Sequence, residues 1–311
     1  MAEEKEFLTL GFLVPLTVII LFFSILIRAG YLHDDIFYAV RGFLYQDSIN
    51  SAYKVVLHNE GSPIEQIVSD ITVSAAEPED TVVSVGEYTY VKIIDSCEYD
   101  YSDGCVRARS GPGTEYGVLN TLRNDIILKV DEKITNEAGE SWYKIAFDEW
   151  LRYPERLGGD WYVSAEFVEV FKNDGEILLT ADSRATDKEI IVDRSDQKLY
   201  AFDGEVLYAE MDVSTGHDFT PTPRGEFTVF KKTPSRYMQG PLPYLPVQDV
   251  YDLPGVPWNL YFTEQGAVIH GAYWHDSFGS TYSHGCVNLE PEDAEEIYKW
   301  ADIGTKVIVR D

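Results

Sequence analysis

Two short segments near the C-terminal end concentrate the side chains able to do chemistry. One runs Val268-Ile269-His270-Gly271-Ala272-Tyr273-Trp274-His275; the other runs Ser283-His284-Gly285-Cys286-Val287-Asn288. A cysteine attacks only as its thiolate, so Cys286 needs an imidazole or a positive dipole close by. The base must be held by a further group, and an acyl oxyanion needs main-chain donors. Gly285 lacks a Cβ and lets the backbone approach a substrate carbonyl, so Ser283 and Gly285 are the candidate turn and oxyanion residues. Only 25 residues follow Cys286 and none is histidine, so arrangements that place the cysteine first and the histidine far downstream are excluded. The base must come from His217, His270, His275 or His284. For a lone cysteine the bland alternative is an inert buried thiol. A zinc site built from His270, His275, His284 and Cys286 lacks any short two-ligand zinc spacing, so no metal is expected.

These residues have to be positioned by β-structure. Gly and Pro recur along the chain and Tyr is abundant at 21 residues, a mix that favours strands and turns over helical bundles. Between Gly86 and Phe171 the pattern predicts short strands at Tyr88–Ile94, Ile126–Val130, Trp142–Phe147 and Trp161–Val163. A polar linker is expected from Asn173 to Asp187. Beyond it, Lys198–Phe202 and Glu205–Glu210 flank Asp203-Gly204, a combination favoured in tight hairpins. Glu226–Phe230, Ala267–His270 and Lys306–Val309 read as further strands. One helix is predicted at Pro291–Ala301: Pro291 suits its first turn, Glu292 and Asp293 suit its positive end, and Ala294, Ile297, Tyr298 and Ala301 make one apolar stripe. The fold class is mostly β with one helix near the C-terminus. Gly111, Gly113 and Gly117 miss the spacing of a dinucleotide loop, and Pro112 removes a donor such a loop would use.

The spacing from His270-Gly271 to Ser283-His284-Gly285-Cys286-Val287-Asn288 resembles the L,D-transpeptidase catalytic (YkuD) domain. Gln197-Lys198-Leu199-Tyr200, Ser214-Thr215-Gly216 and Thr222-Pro223-Arg224-Gly225-Glu226-Phe227 add to the likeness, which covers roughly residues 188–310. It implies a cysteine acyltransferase with Cys286 as nucleophile and His270 as base, acting on peptidoglycan stem peptides without a cofactor. The thiolate would attack the carbonyl of the third residue, expel the terminal D-Ala and hold a thioester for an acceptor amine, giving a 3→3 cross-link. His284 would either support the nucleophile turn or transfer a proton. Gly271, Tyr273, Trp274 and Asn288 are the candidate substrate contacts, and His275 reads as a rim or packing residue. Upstream, Val106 to Tyr116 with its Arg-Ser-Gly-Pro-Gly turn, together with Trp142-Tyr143-Lys144-Ile145 and Trp161-Tyr162-Val163, is similar to bacterial SH3-like domains, small β-barrels, with a lengthened loop around Trp150–Gly159. It supplies no histidine and is expected to position the enzyme without entering the active centre.

Residues Phe7 to Ile27 are uncharged and mostly apolar, enough to span a hydrocarbon core of ~30 Å. An acidic start and the lack of a small-residue cleavage site favour a retained anchor over a signal peptide. The expected organisation is an anchor at 1–30, a stalk at 31–85, the SH3-like module at 86–171 and the catalytic domain at 188–311. Lys5 against Arg28 and Arg41 argues mildly for an internal C-terminus; the chemistry argues for an extracytoplasmic one at the cell membrane. The net charge of −28 is spread along the chain, with 10 Lys+Arg against 20 Asp+Glu in residues 188–311, and such a surface repels nucleic acid. Cys97 and Cys105 are placed either to bridge or to stay buried and unpaired. Two other classes compete. A sortase-type transpeptidase would need an arginine after the cysteine, where only Arg310 stands. A non-catalytic wall-binding protein would leave the His270 and Cys286 set without purpose.

Overall fold

The computed structural model describes residues 87–101, 104–181, 183–241 and 250–311; the expected anchor at 7–27 and stalk at 31–85 lie outside them. The first seven strands are β1 (Tyr88–Ile93), β2 (Val106–Arg109), β3 (Val118–Leu122), β4 (Ile127–Thr135), β5 (Ser141–Ile145), β6 (Tyr162–Ser164) and β7 (Val168–Asn173). They form one sheet in the order β3-β2-β6-β5-β4-β1-β7. The sequence leads one to expect a closed barrel here, but among the described residues no β3–β7 ladder closes the sheet. Alternation along β1 buries Val91 and Ile93 against Trp161 and Val163, as a half-buried strand requires. Cys97 and Cys105 form a disulfide. By loop-closure entropy a short bridge of this kind contributes about 2–3 kcal/mol.

The remaining strands are β8 (Ile177–Leu178), β9 (Lys188–Asp193), β10 (Lys198–Asp203), β11 (Val206–Asp212), β12 (Gly225–Thr228), β13 (Lys231–Gln239), β14 (Asp252–Tyr261), β15 (Val268–Gly271), β16 (Val287–Leu289) and β17 (Lys306–Arg310). They make two five-stranded sheets, β11-β10-β9-β17-β12 and β16-β15-β14-β13-β8. Ile190, Val192, Leu199 and Val307 from one sheet share a core with Leu260, Ile269, Val287 and Leu289 from the other. The expected linker is partly strand, since β8 pairs with Lys231 and Lys232 of β13. The hairpin turn is Gly204-Glu205, with Asp203 opposite Val206, one residue later than the sequence suggests. Helix α1 (Pro291–Trp300) buries Ala294, Ile297 and Tyr298 in the same core. Its last carbonyls would be orphaned. The Lys232 ammonium donates to Tyr298 O at 2.6 Å and to Ala301 O, and burial pulls Lys232 down to about 8.

The N-terminal sheet is not an independent module strung ahead of the catalytic one: residues 82–311 make one compact unit. Tyr90 and Ile127 enter the catalytic core, and Tyr237, Val256 and Tyr273 enter the core of the first sheet. Ser235 Oγ donates to Ile127 O at 2.5 Å. Gly255 has φ +61°, and a Cβ there would lie 2.4 Å from the Ile127 carbonyl oxygen, so the two backbones meet only because position 255 has no side chain. Gly255→Ala should therefore cost about 2–4 kcal/mol in chemical denaturation, combining left-handed strain with overpacking. A loss near 1 kcal/mol, the strain alone, would mean that the contact between the sheets yields.

Candidate active site

The site is built on the parallel pair β15–β16. Its register sets Ile269 opposite Val287 and His270 opposite Asn288. Side chains alternate along a strand, so His270 and Asn288 share a face with Cys286, the residue entering β16. A parallel pair needs a long crossover, and residues 272–286 supply it. That crossover is clamped by the segment after β11. Ser214 bridges Asn288, and Gly216 bridges Ser283. Gln197 holds Thr215 through both ends of its amide. Thr222 Oγ1 accepts from Gly216 N and donates to Cys286 O at 3.2 Å.

The turn before the nucleophile closes on itself. Ser283 Oγ accepts from Gly285 N at 3.1 Å and donates to Cys286 O at 2.6 Å. Gly285 has φ +120°, a conformation only glycine adopts without strain. Ser283 and Gly285 thus hold the turn. Their polar groups are engaged with each other and with Cys286 O, which places them away from the expected oxyanion role.

His270 is 1% exposed, and its Nδ1 lies 2.9 Å from Gly271 O. A carbonyl can only accept, so Nδ1 carries the proton and Nε2 presents its lone pair. Burial lowers the His270 pKa to about 4, against the opposing pull of the Gly271 carbonyl. Burial pushes the Cys286 thiol up, while Arg236 and the Val268 backbone pull it down. The resting pair is therefore a neutral imidazole and a neutral thiol, the form suited to proton removal during attack.

Cys286, partly exposed, borders two contiguous cavities. The first, about 230 Å3, also carries His270, Trp274, Tyr282, Ser283 and Asn288. The second, about 380 Å3, is lined by Arg236, Trp150 and Arg152 among others. His284, whose ring lies 5.9 Å from that of Tyr251, lines both. Trp274 and Asn288 thus stand on one cavity with Cys286. Two candidate contacts do not. Tyr273 is buried, its hydroxyl donating to Pro254 O at 2.6 Å. At Gly271 a Cβ would meet Pro257, Pro291 and Ala294, so this residue faces helix α1 and serves through its carbonyl. His217 is exposed and lines neither cavity. Arg310 pairs with Asp193 at 3.3 Å and also lines neither, which removes the arginine a sortase would need.

His275 is buried rather than a rim residue. Its Nδ1 accepts from Ser277 N at 3.1 Å, and burial lowers its pKa to about 4. A neutral imidazole has one N–H, so Nε2 must donate to the side-chain amide of Asn288, 2.9 Å away. Asn288 Nδ2 stands at that position and Oδ1 is buried without a partner among the described residues, so the donor on Nε2 requires the amide to be turned over, with its oxygen toward the ring. Sequence reading missed this pair, along with Arg236, Met238, Tyr251 and Leu253 on β13, β14 and the approach to β14. Nothing local marks them. It also missed Trp150 and Arg152, signalled only by the length of the 150–159 loop.

Residues 187–309 match the family model described as the L,D-transpeptidase catalytic domain, YkuD. A curated relative from Mycobacterium tuberculosis, named as a probable L,D-transpeptidase 3, is 38% identical over 105 residues, covering 32% of this chain and 38% of that protein. A YkuD-named L,D-transpeptidase relative from Bacillus licheniformis is 25% identical over 123 residues, covering 39% of this chain and 64% of that protein. The chain thus spans less than two thirds of the length of either relative. Among solved structures, the catalytic domain of an E. faecium L,D-transpeptidase is 26% identical with a TM-score of 0.36, covering 40% of this chain and 96% of that one. The crystal structure of L,D-transpeptidase 3 from Mycobacterium tuberculosis is 23% identical with a TM-score of 0.38, covering 60% and 92%. The segment matched by the L,D-transpeptidase catalytic domain model carries both His270 and Cys286.

Proposed function

We propose that the chain is a peptidoglycan L,D-transpeptidase in which Cys286 is the nucleophile and His270 the base. What carries this reading is the register that puts His270 and Cys286 on one face of β15–β16 and on one cavity, with the His270 proton fixed on Nδ1. In acylation, His270 Nε2 takes the proton from Sγ as sulfur bonds to the carbonyl carbon of the third stem residue. The amide C–N bond then breaks, and Nε2 returns the proton to the departing D-Ala nitrogen, leaving a thioester. In the second half an acceptor amine attacks the thioester carbonyl and gives up a proton to Nε2. The C–S bond breaks, and the thiol is restored as the cross-link forms. Gly271, through its carbonyl, keeps the tautomer that both halves need.

The N-terminal sheet is assigned as an SH3-like module and residues 7–27 as a single membrane anchor, with the bulk of the chain on the wall side of the cell membrane. The Cys97–Cys105 disulfide supports that side, because such bridges persist in oxidising compartments.

Cys286→Ala should abolish acyl transfer from a tetrapeptide donor, and His270→Ala should slow adduct formation with a carbapenem by about 10²–10⁴-fold. Intact-protein mass spectrometry reads both, and a fully active Cys286→Ala enzyme would refute the assignment. A second expectation concerns pH. With the His270 pKa lowered to about 4, the acid limb of acylation should centre near 4, and a limb near 6.5 would show an ordinary solvated base. Stability follows the same sign. His270 and His275 bind protons more readily unfolded, near 6.5, than folded, near 4. Their contribution is full above about 6.5 and is lost as pH falls toward 4. Denaturant midpoints measured across that range should fall with acid, and a His275→Gln variant should show a shallower fall.

A further inference from the structure

The charge around the nucleophile is the reverse of the charge on the molecule. Asp and Glu outnumber Lys and Arg by 53 to 25, and a separate cavity of about 430 Å3 gathers Asp95, Glu98, Asp125, Asp276, Glu290 and Glu292. Yet among the described residues none that lines either cavity at Cys286 is acidic. The larger one carries two arginines instead, Arg236 from β13 and Arg152 from the 150–159 loop.

Among the described residues Lys92, Lys129, Lys144, Lys188, Lys198, Lys231 and Lys306 meet carboxylates. Arg236 and Arg152 lie over aromatic rings, those of Tyr261 at 5.3 Å and Trp150 at 5.2 Å, and among the described residues neither forms an ion pair. Glu149 acts on Arg236 from a distance, but its two oxygens accept from the Tyr237 N–H at 3.0 and 3.1 Å. Arg236 is half-buried. A guanidinium partly withdrawn from water, with no carboxylate on it among the described residues, gains from a ligand that completes it.

The loop that supplies Arg152 is fixed, not draped. Tyr153 N donates to Gln239 Oε1 at 2.8 Å, Gln239 Nε2 donates back to Tyr153 O at 3.1 Å, and Tyr153 OH donates to Pro241 O at 2.9 Å. Arg156 donates to Gly240 O at 2.8 Å. The N-terminal sheet therefore builds one wall of the cavity that meets Cys286, contrary to the expectation that it stays outside the active centre.

We infer that this cavity is a carboxylate subsite in which Arg236, assisted by Arg152, binds the free C-terminal carboxylate of the donor peptide. The inference rests on the acyl-transfer reading of Cys286 and names what that site recognises. Only the amide nitrogen and one Cα separate the terminal carboxylate from the scissile carbonyl, so it must fall in a cavity that adjoins Sγ. Among the described residues the cavity with His270 offers no arginine or lysine; the other offers two. A donor with one residue beyond the scissile bond places its charge on Arg236, whereas a longer or amidated donor does not.

The test compares the full chain on two donors, a stem tetrapeptide with a free C-terminal carboxylate and the same peptide as its C-terminal amide. The wild type should prefer the acid by about tenfold or more in kcat/KM, the usual worth of a charge-assisted contact. Arg236→Gln should bring the ratio of acid to amide close to one, Arg236→Lys should restore part of it, and Arg152→Gln should reduce it several-fold. Should Arg236→Gln not fold, the loop variant Arg152→Gln decides. A wild type indifferent to amidation, or a ratio unchanged in both glutamine variants, overturns the subsite while leaving the transpeptidase standing. A wild type that turns over neither donor overturns the proposed function, and the subsite with it.

Discussion

The parallel pairing of β15 with β16 is the constraint on which the rest depends. Had the two strands paired one residue out of step, His270 and Cys286 would point to opposite faces, and no neighbouring loop would bring them together. Parallel pairing also compels a long connection, and that connection is where Trp274, Tyr282, Ser283 and His284 reside. The clamp on it is built from main-chain bridges at Ser214 and Gly216 and from the Thr222 hydroxyl on Cys286 O. Cys286 is thus held by its own carbonyl, and its side chain is left free of that clamp.

Electrostatics then decide the resting state. Burial disfavours charge on both partners, pulling the His270 pKa to about 4 and pushing the Cys286 thiol up. An imidazolium–thiolate pair would need a compensating field, and among the described residues the cation acting on the sulfur is Arg236. That leaves a neutral pair in which the proton moves as the substrate arrives. The same cation would strengthen thiolate character, but a bound carboxylate would neutralise it. The site is thereby balanced for a base that works during attack rather than before it.

Much of this was legible in the sequence, for reasons that differ by element. Helix α1 was readable because Pro291, the acidic pair after it and the Ala294-Ile297-Tyr298 stripe all agree on one local structure. Cys286 and the four histidines that could serve it were readable because chemistry demands particular residue types, while the choice of His270 among them rested on the family resemblance. Tyr273 and Gly271 were misplaced as substrate contacts because sequence proximity to His270 says nothing about which face of an irregular segment a side chain takes. Tyr273 turns into the core shared with Trp161, and Gly271 sits against α1. The His275–Asn288 pair and Arg236 were hidden for another reason: their partners come from elements whose pairing depends on the tertiary fold. Closure of the expected barrel is likewise beyond local pattern, since it is a property of which edges meet.

The junction between the sheets turns a topological detail into a functional requirement. Wall residues contributed by two sheets hold a substrate productively only if the sheets cannot shift by about 0.5 Å relative to each other. A hinge with a polar interface would not meet that demand. Here the two cores exchange side chains, with Tyr90 and Ile127 going one way and Tyr237 and Val256 the other. Backbone meets backbone at Gly255 and Ile127, while Tyr153 and Gln239 tie the loop to β13 by a reciprocal pair of hydrogen bonds. Such an interface costs conformational freedom that a tethered positioning module has no reason to give up. It is accounted for if the loop at Trp150 and Arg152 must stand at a fixed distance from Cys286, which makes the N-terminal sheet part of the catalytic unit.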